Sequence, residues 1–129
     1  MFKLDDDKTT FKVTRGQAGS FSFGATTPSG DTYTFTQGDV LRMNVTKAGK
    51  EDMVVMSVDT IVAENTTEVT ISITSHDSKI GSVINKPVDY WYDIELNPDS
   101  STAQMLLGYD DETGPKIFKL YPESVKEGF

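Results

Sequence analysis

One short segment carries the side chains most able to do chemistry, since Trp91 stands among three carboxylates at Asp89, Asp93 and Glu95. Two carboxylates can share the work of glycoside hydrolysis, so the pairs Asp89/Asp93 and Asp93/Glu95 are candidates for it. Acidic residues along one strand more often form its solvent face, and a large aromatic on such a face is typical of an interface or of cover by a loop. We therefore predict no catalytic residues and an interface formed by Trp91, Asp89, Asp93 and Glu95.

The remaining sequence shows no pattern typical of a catalytic or metal site. The absence of cysteine excludes disulfides, thiol catalysis and thiolate metal ligands. His76 is the only histidine, and its neighbours Ser75 and Asp77 would not face it on a helical turn as a catalytic triad requires. The acidic runs at 5–7 and 110–112 lack the ligand spacing of a calcium-binding loop. We predict a protein that is not an enzyme, with no cofactor and no metal.

The net charge narrows the class of partner. Twenty acidic residues against 12 basic ones give a formal charge of −8. That sign argues against binding to nucleic acid or to anionic lipid through overall charge. No window approaches the roughly 18 apolar residues that span a membrane, and the N-terminal residues lack the pattern of a signal peptide. We expect neither nucleic acid nor membrane among the partners.

The tryptophan and its carboxylates lie on a predicted strand. From Val88 to Leu96 the even positions are apolar and the odd positions are mostly acidic, which is the period of two that indicates a strand with one apolar face. A turn at 97–101 and a second apolar run at 103–109 predict a central β-hairpin. Trp91 then faces outward, and three explanations stay open: cover by the loop 81–86, contact with a partner or second copy, or a register that places it in the core.

Further predicted strands surround this hairpin, separated by turn residues about every ten positions. Alternating segments are residues 9–14, 20–26, 32–35, 40–46, 67–74 and 116–121, while residues 53–58 are apolar on both faces and predict a strand covered on both sides. Seven to nine short strands with no long helix predict an all-β fold, which we assign as an immunoglobulin-like two-sheet antiparallel β-sandwich. One short helical turn is expected after Thr74, ended by Gly81. The sequence predicts a single domain, 1–129, with residues 1–8 and 123–129 flexible.

The inward positions of these strands define a predicted core. Each member stands on the apolar side of an alternating run. The members are Phe21, Phe23, Leu41, Met43, Val45, Val69, Ile71, Ile73, Tyr92, Ile94, Leu96, Met105, Leu107 and Phe118.

Four segments carry a resemblance to a known family. They are residues 35–41 (FTQGDVL), 86–99 (KPVDYWYDIELNPD), 108–111 (GYDD) and 114–123 (GPKIFKLYPE). In these segments the chain resembles proteins encoded among the tail genes of phages and prophages of Gram-positive bacteria, and is similar to the N-terminal domain of siphophage upper baseplate proteins. The similarity covers roughly Thr9 to Glu123. It implies an immunoglobulin-like sandwich, a virion role and no enzymatic activity.

Two functions follow as expectations. The first is a structural or assembly module of a phage tail or baseplate, which acts by protein–protein association with other virion proteins or with itself as a homo-oligomer. Such a protein would be located in the virion and assembled in the bacterial cytoplasm. Since upper baseplate proteins continue into receptor-binding parts and this sequence ends at Phe129, a stand-alone accessory protein is equally open. The alternative is a carbohydrate-binding or adhesion module, in which Tyr33 and Tyr109 would join Trp91.

Overall fold

The computed structural model describes residues 2–4 and 9–123, and over these residues the chain forms nine β-strands and no helix. The strands are β1 Phe2–Leu4, β2 Phe11–Thr14, β3 Gly19–Phe23, β4 Val40–Lys47, β5 Lys50–Ile61, β6 Val69–Ile73, β7 Val88–Leu96, β8 Gln104–Leu107 and β9 Ile117–Tyr121. The expectation of an all-β fold is confirmed. Within the same residues nothing helical is long and apolar enough to cross a bilayer.

The strands form two sheets of unequal size. Seven of them make one sheet in the order β1-β2-β9-β7-β4-β5, with β8 paired to β7, and β3 with β6 makes the second sheet. Every pair is antiparallel except β2 and β9, which run parallel. The expectation of a wholly antiparallel arrangement is therefore wrong at this pair. Parallel neighbours need a long connection, and here nearly the whole chain separates the two strands.

Strand β7 is the centre of the large sheet. One edge of it pairs with β4, while the other edge pairs with β9 over Val88–Trp91 and with β8 over Ile94–Leu96. Its bounds are those that the alternation predicts. The predicted hairpin pairs only the end of β7 next to the turn, Ile94–Leu96, with β8. Strand β8 is short, and the register shifts between Ile94 and Glu95.

The core lies between the two sheets. The ring of Phe11 on β2 lies 4.5 Å from that of Phe21 on β3 and 5.2 Å from that of Tyr92 on β7, which joins the layers. Most predicted core residues are buried, namely Phe23, Leu41, Met43, Val45, Val69, Ile71, Ile73, Tyr92, Ile94, Leu96 and Phe118. Buried hydrophobic residues that the prediction omits are Phe11, Val13, Phe35, Met56, Val62, Ile80 and Leu120.

Met105 is the clear error in the predicted core. Its side chain is 56% exposed, whereas Phe21 and Leu107 are partly buried against the core. The register shift in the β7–β8 pair sets Met105 opposite Glu95, so that its side chain projects from the outer face of the large sheet. A period-two reading of β8 cannot anticipate a bulge in its pairing.

The predicted helical turn after Thr74 is absent, and a hydrogen-bonded turn stands in its place. Thr74 and Asp77 cap each other, since each side chain accepts a hydrogen bond from the other's backbone N–H, at 2.9 and 3.1 Å. The hydroxyl of Ser78 then donates to the carbonyl of Gln17 at 2.8 Å. Because Ser78 and the following Ile80 are buried, the chain leaves the turn for the core before a helix can propagate.

Residues near both ends of the described chain contact the rest of the fold. Residues 2–4 form β1, and the Phe2 ring packs 5.7 Å from that of Phe11. At the other end Glu123 forms an ion pair with Arg15. The flexibility expected at residues 1–8 and 123–129 stays a prediction, and residues 1, 5–8 and 124–129 lie outside the described residues.

Candidate functional site

The outer face of the large sheet carries the candidate site. Alternation along β4 and β7 that buries Val45 and Ile94 turns the intervening side chains outward. In register, Asn44 lies opposite Asp93 and Thr46 lies opposite Trp91. Pairing therefore brings polar groups of two strands beside the tryptophan that the sequence singles out.

These side chains form the floor of an open depression of about 770 Å³, here called the outer-face groove. Its floor consists of Asn44, Thr46, Trp91, Asp93 and Glu95. One wall comes from the β4–β5 hairpin, with Gly49, Glu51 and Val54, and the other from β8 and the loop after it, with Met105, Tyr109, Pro115 and Lys116. The groove thus combines apolar and aromatic side chains with carboxylates on its floor and at Glu51.

An aromatic pair lies at one side of the groove. The Trp91 ring lies 5.8 Å from that of Tyr109, with the two planes inclined by 31°. Trp91 is half-buried on the outer face, so the core register is excluded, and Tyr109 in the loop after β8 packs beside its ring. In the loop 81–86, Ile84 packs against the core. Tyr109 itself remains 64% exposed, so the pair presents aromatic surface to solvent.

The loop that carries Tyr109 is held by its own hydrogen bonds. Asp110 and Gly114 exchange two backbone hydrogen bonds, at 3.2 and 2.7 Å, which close the turn between them. The backbone N–H of Tyr92 donates to the carbonyl of Lys116 at 3.0 Å, which fixes the far end of the loop to β7. Backbone hydrogen bonds therefore close the turn after the exposed tyrosine and tie the end of its loop to β7.

Gly108 lets this loop turn close to the floor. A Cβ atom at this buried glycine would lie 3.0 Å from the Met105 sulfur and 3.3 Å from the Cβ of Asp93. Those distances are tighter than ordinary van der Waals contact, so the glycine sets how near the Tyr109 loop comes to β7.

The floor holds two carboxylates that share one amide. The side-chain nitrogen of Asn44 donates to Asp93 at 3.5 Å and to Glu95 at 3.4 Å, while its oxygen accepts from the Ser57 hydroxyl at 2.9 Å. Burial raises the pKa of Asp93 above its usual range, and the neighbouring charge of Glu95 adds to this. Among the described residues neither carboxylate forms an ion pair.

Asp89 stands apart from the other predicted site residues. It faces the same side of β7, yet it lies opposite Lys119 on β9, and the two side chains form an ion pair at 3.6 Å. The structure therefore brings Trp91, Asp93 and Glu95 together and leaves Asp89 outside the groove.

Lys116 is the one cation in the groove lining. It is 8% exposed, and its ammonium donates to the Thr113 hydroxyl at 2.7 Å and to the Gly114 carbonyl at 3.4 Å. These two oxygens hold the charge within its own loop, so it does not neutralise the carboxylates of the floor.

Several residues of the groove were not predicted from the sequence. Asn44, Glu51 and Val54 come from strands about 40 positions before β7 in the chain, and only the pairing of β4 with its neighbours places them here. Alternation does turn Asn44 outward, which is a usable signal once β4 is known to adjoin β7. Val54 has no such signal, because the register between β4 and β5 shifts on either side of its partner Thr46.

The other residues that could do chemistry lie in turns away from the groove floor. His76 is exposed in the turn after β6. The Asp110 carboxylate accepts hydrogen bonds from the backbone N–H groups of Glu112 and Thr113, at 2.7 and 3.3 Å, and these bonds lower its pKa. Within residues 2–4 and 9–123, no group of three histidines or carboxylates is placed to hold a metal ion.

A second cleft, of about 710 Å³, opens between β8 and the loop that follows β3. Its lining contains a single charged residue, Glu68, with threonines and apolar side chains such as Leu106 around it. Of these two clefts in the described part of the chain, the outer-face groove joins exposed aromatic surface to several charges.

No protein-family model, curated protein or solved structure matches the chain. The candidate site therefore depends on its own geometry.

Proposed function

We propose that the protein acts by non-catalytic association and that the outer-face groove is its contact surface. One observation carries the proposal: Val54, Met105 and Tyr109, which are 51%, 56% and 64% exposed, gather with Trp91 on a single face of the large sheet. Exposed large apolar side chains that cluster in this way mark binding surfaces more often than ordinary solvent-facing sheet.

The layout of the groove suits an interface. Aromatic anchors in a well-formed depression carry much of the binding energy in protein complexes, and charged groups around them select partner and orientation. Trp91 and Tyr109 would be such anchors, with Glu51 and Glu95 as the selecting charges.

We further propose that this association takes place in a phage tail or baseplate, with other virion proteins as partners, and that the two sheets form an immunoglobulin-like sandwich. The support is the resemblance at residues 86–99 and 114–123, which correspond to β7 with its turn and to β9 with its flanks. One sandwich architecture serves many functions, so the groove rather than the fold is the argument for binding.

The test is co-purification of the chain with the proteins encoded beside it. Tyr109→Ala should reduce recovery of the partner at least tenfold, because it removes an exposed anchor at little risk to folding. Trp91→Ala should act in the same direction. Tyr121→Ala is the matched control, since Tyr121 lies on β9 outside the groove lining. Equal recovery with Tyr109→Ala and Tyr121→Ala would refute this surface, and no recovery with the wild type would refute the virion role.

Carbohydrate binding is the second candidate, because Trp91 and Tyr109 meet beside hydrogen-bonding groups as sugar rings require. The third expected aromatic does not join them, since the Tyr33 ring packs edge-on against that of Phe35 at 5.1 Å. Glycan-array binding by the wild type that is lost with Tyr109→Ala would favour this candidate. No signal on the array would remove it.

A further inference from the structure

We propose that the partner inserts a basic and apolar segment into the outer-face groove, with a lysine or arginine side chain between Asp93 and Glu95 and apolar neighbours against Trp91 and Tyr109. This inference rests on the proposed function and names the chemistry of the partner at that site.

Charge in the groove is unbalanced. Three carboxylates line it, at Glu51, Asp93 and Glu95, against the single ammonium of Lys116, which leaves two negative charges in excess. Loop oxygens already hold that ammonium. An incoming cation would therefore meet an uncompensated negative site, which is charge complementarity of the kind that selects partners.

The two floor carboxylates, Asp93 and Glu95, receive only weak hydrogen bonds from the side chains around them. The side-chain nitrogen of Asn44 donates to both, at 3.5 and 3.4 Å, which is the outer limit of a hydrogen bond. Asp93 is half-buried, and both burial and the charge of Glu95 disfavour its ionised form. A lysine or arginine set between them would relieve the repulsion and add charge-assisted hydrogen bonds.

The aromatic and apolar side chains of the groove favour a cation carried by an apolar segment. Trp91 and Tyr109 offer aromatic faces to a lysine or arginine through cation–π attraction. Val54 and Met105 add exposed apolar surface that an aliphatic or aromatic neighbour would cover. A saccharide could also stack on the rings, yet its neutral hydroxyls would leave the repulsion between the carboxylates uncompensated.

A second copy of this chain is a poorer occupant. A two-fold interface brings the same patch of both subunits together, so the groove carboxylates of one copy would face those of the other. With a net charge of −8 on each chain, long-range repulsion would add to this cost. The chemistry therefore favours a different protein that carries the basic segment.

The test is selection from a random peptide library displayed against the immobilised wild-type protein. Enriched sequences should contain lysine or arginine beside apolar residues. A peptide synthesised from an enriched sequence should lose affinity by about tenfold or more when its basic residue is changed to glutamine. The same loss is expected when the protein carries Asp93→Asn with Glu95→Gln. Binding should also weaken as salt is added. The matched control is Asp89→Asn, on the same face of β7 outside the groove.

The outcomes separate this inference from the proposed function. Selected peptides without basic residues would overturn the basic segment and leave association through the groove intact. The same holds for selected peptides whose binding is unaffected by Asp93→Asn with Glu95→Gln but is lost with Tyr109→Ala. Binding unaffected by any of these changes, or no enrichment at all, would overturn both. Glycan-array binding that needs Tyr109 and is insensitive to salt would assign the groove to a saccharide.

Discussion

Ile71→Ala tests whether the two sheets form one cooperative unit that supports the groove. Ile71 is 1% exposed on β6, opposite Phe21 of β3. Truncating a buried isoleucine to alanine costs about 2–5 kcal/mol. Since β6 pairs only with β3, the small layer can move to fill part of the cavity, and we expect about 3 kcal/mol within that range. The melting temperature should fall by roughly 10–15 °C.

The assay is urea unfolding followed by two probes. Far-UV circular dichroism reports both sheets, and fluorescence of Trp91, the only tryptophan, reports the outer face of the large sheet. Both midpoints should fall together, as two-state unfolding requires. Thr70→Ala, at an exposed position of the same strand, should cost less than about 1 kcal/mol. A loss below about 1 kcal/mol for Ile71→Ala would refute the packing of β6, and an unmoved fluorescence midpoint would refute the cooperative unit.

Three further predictions concern the outer face of the large sheet. Asp93→Asn should raise the denaturation midpoint at pH 7, because burial and Glu95 raise the pKa of Asp93 and its ionised form costs stability; the gain should vanish below the unfolded pKa of about 3.9. Arg42→Gln should lower the midpoint at pH 7, because Arg42 lowers the pKa of Asp59; that loss should shrink as pH falls below about 3.9. Gly108→Ala should destabilise by about 1–3 kcal/mol through crowding of Asp93, as thermal melts would show, and unchanged melts would contradict the close approach.

Much of the fold follows from alternation in the sequence. The bounds of β7, its inward side chains and the outward direction of Trp91 all come from a period of two between residues 88 and 96. Phe11 and Leu120 also follow a period of two on β2 and β9, but the parallel pairing of these two strands, from opposite ends of the chain, does not follow from it. A period of two shows which face is apolar but not which strand lies beside it.

Only part of the candidate site could be predicted from the sequence. Trp91, Asp93 and Glu95 share a strand, so their common face could be read directly. Tyr109 reaches Trp91 through a turn closed by backbone hydrogen bonds, and Met105 faces outward because of a register shift. Both depend on local backbone geometry that residue types do not specify.

Oxidative footprinting tests the central claim, that the outer-face groove is the contact surface, most directly. Trp91, Met105 and Tyr109 all react with hydroxyl radicals, so mass spectrometry can compare their oxidation in the free chain and in assembled particles. Assembly should protect all three several-fold and leave Tyr33, in the loop between β3 and β4, unchanged. Equal oxidation of the three groove residues in free and assembled protein would contradict the claim.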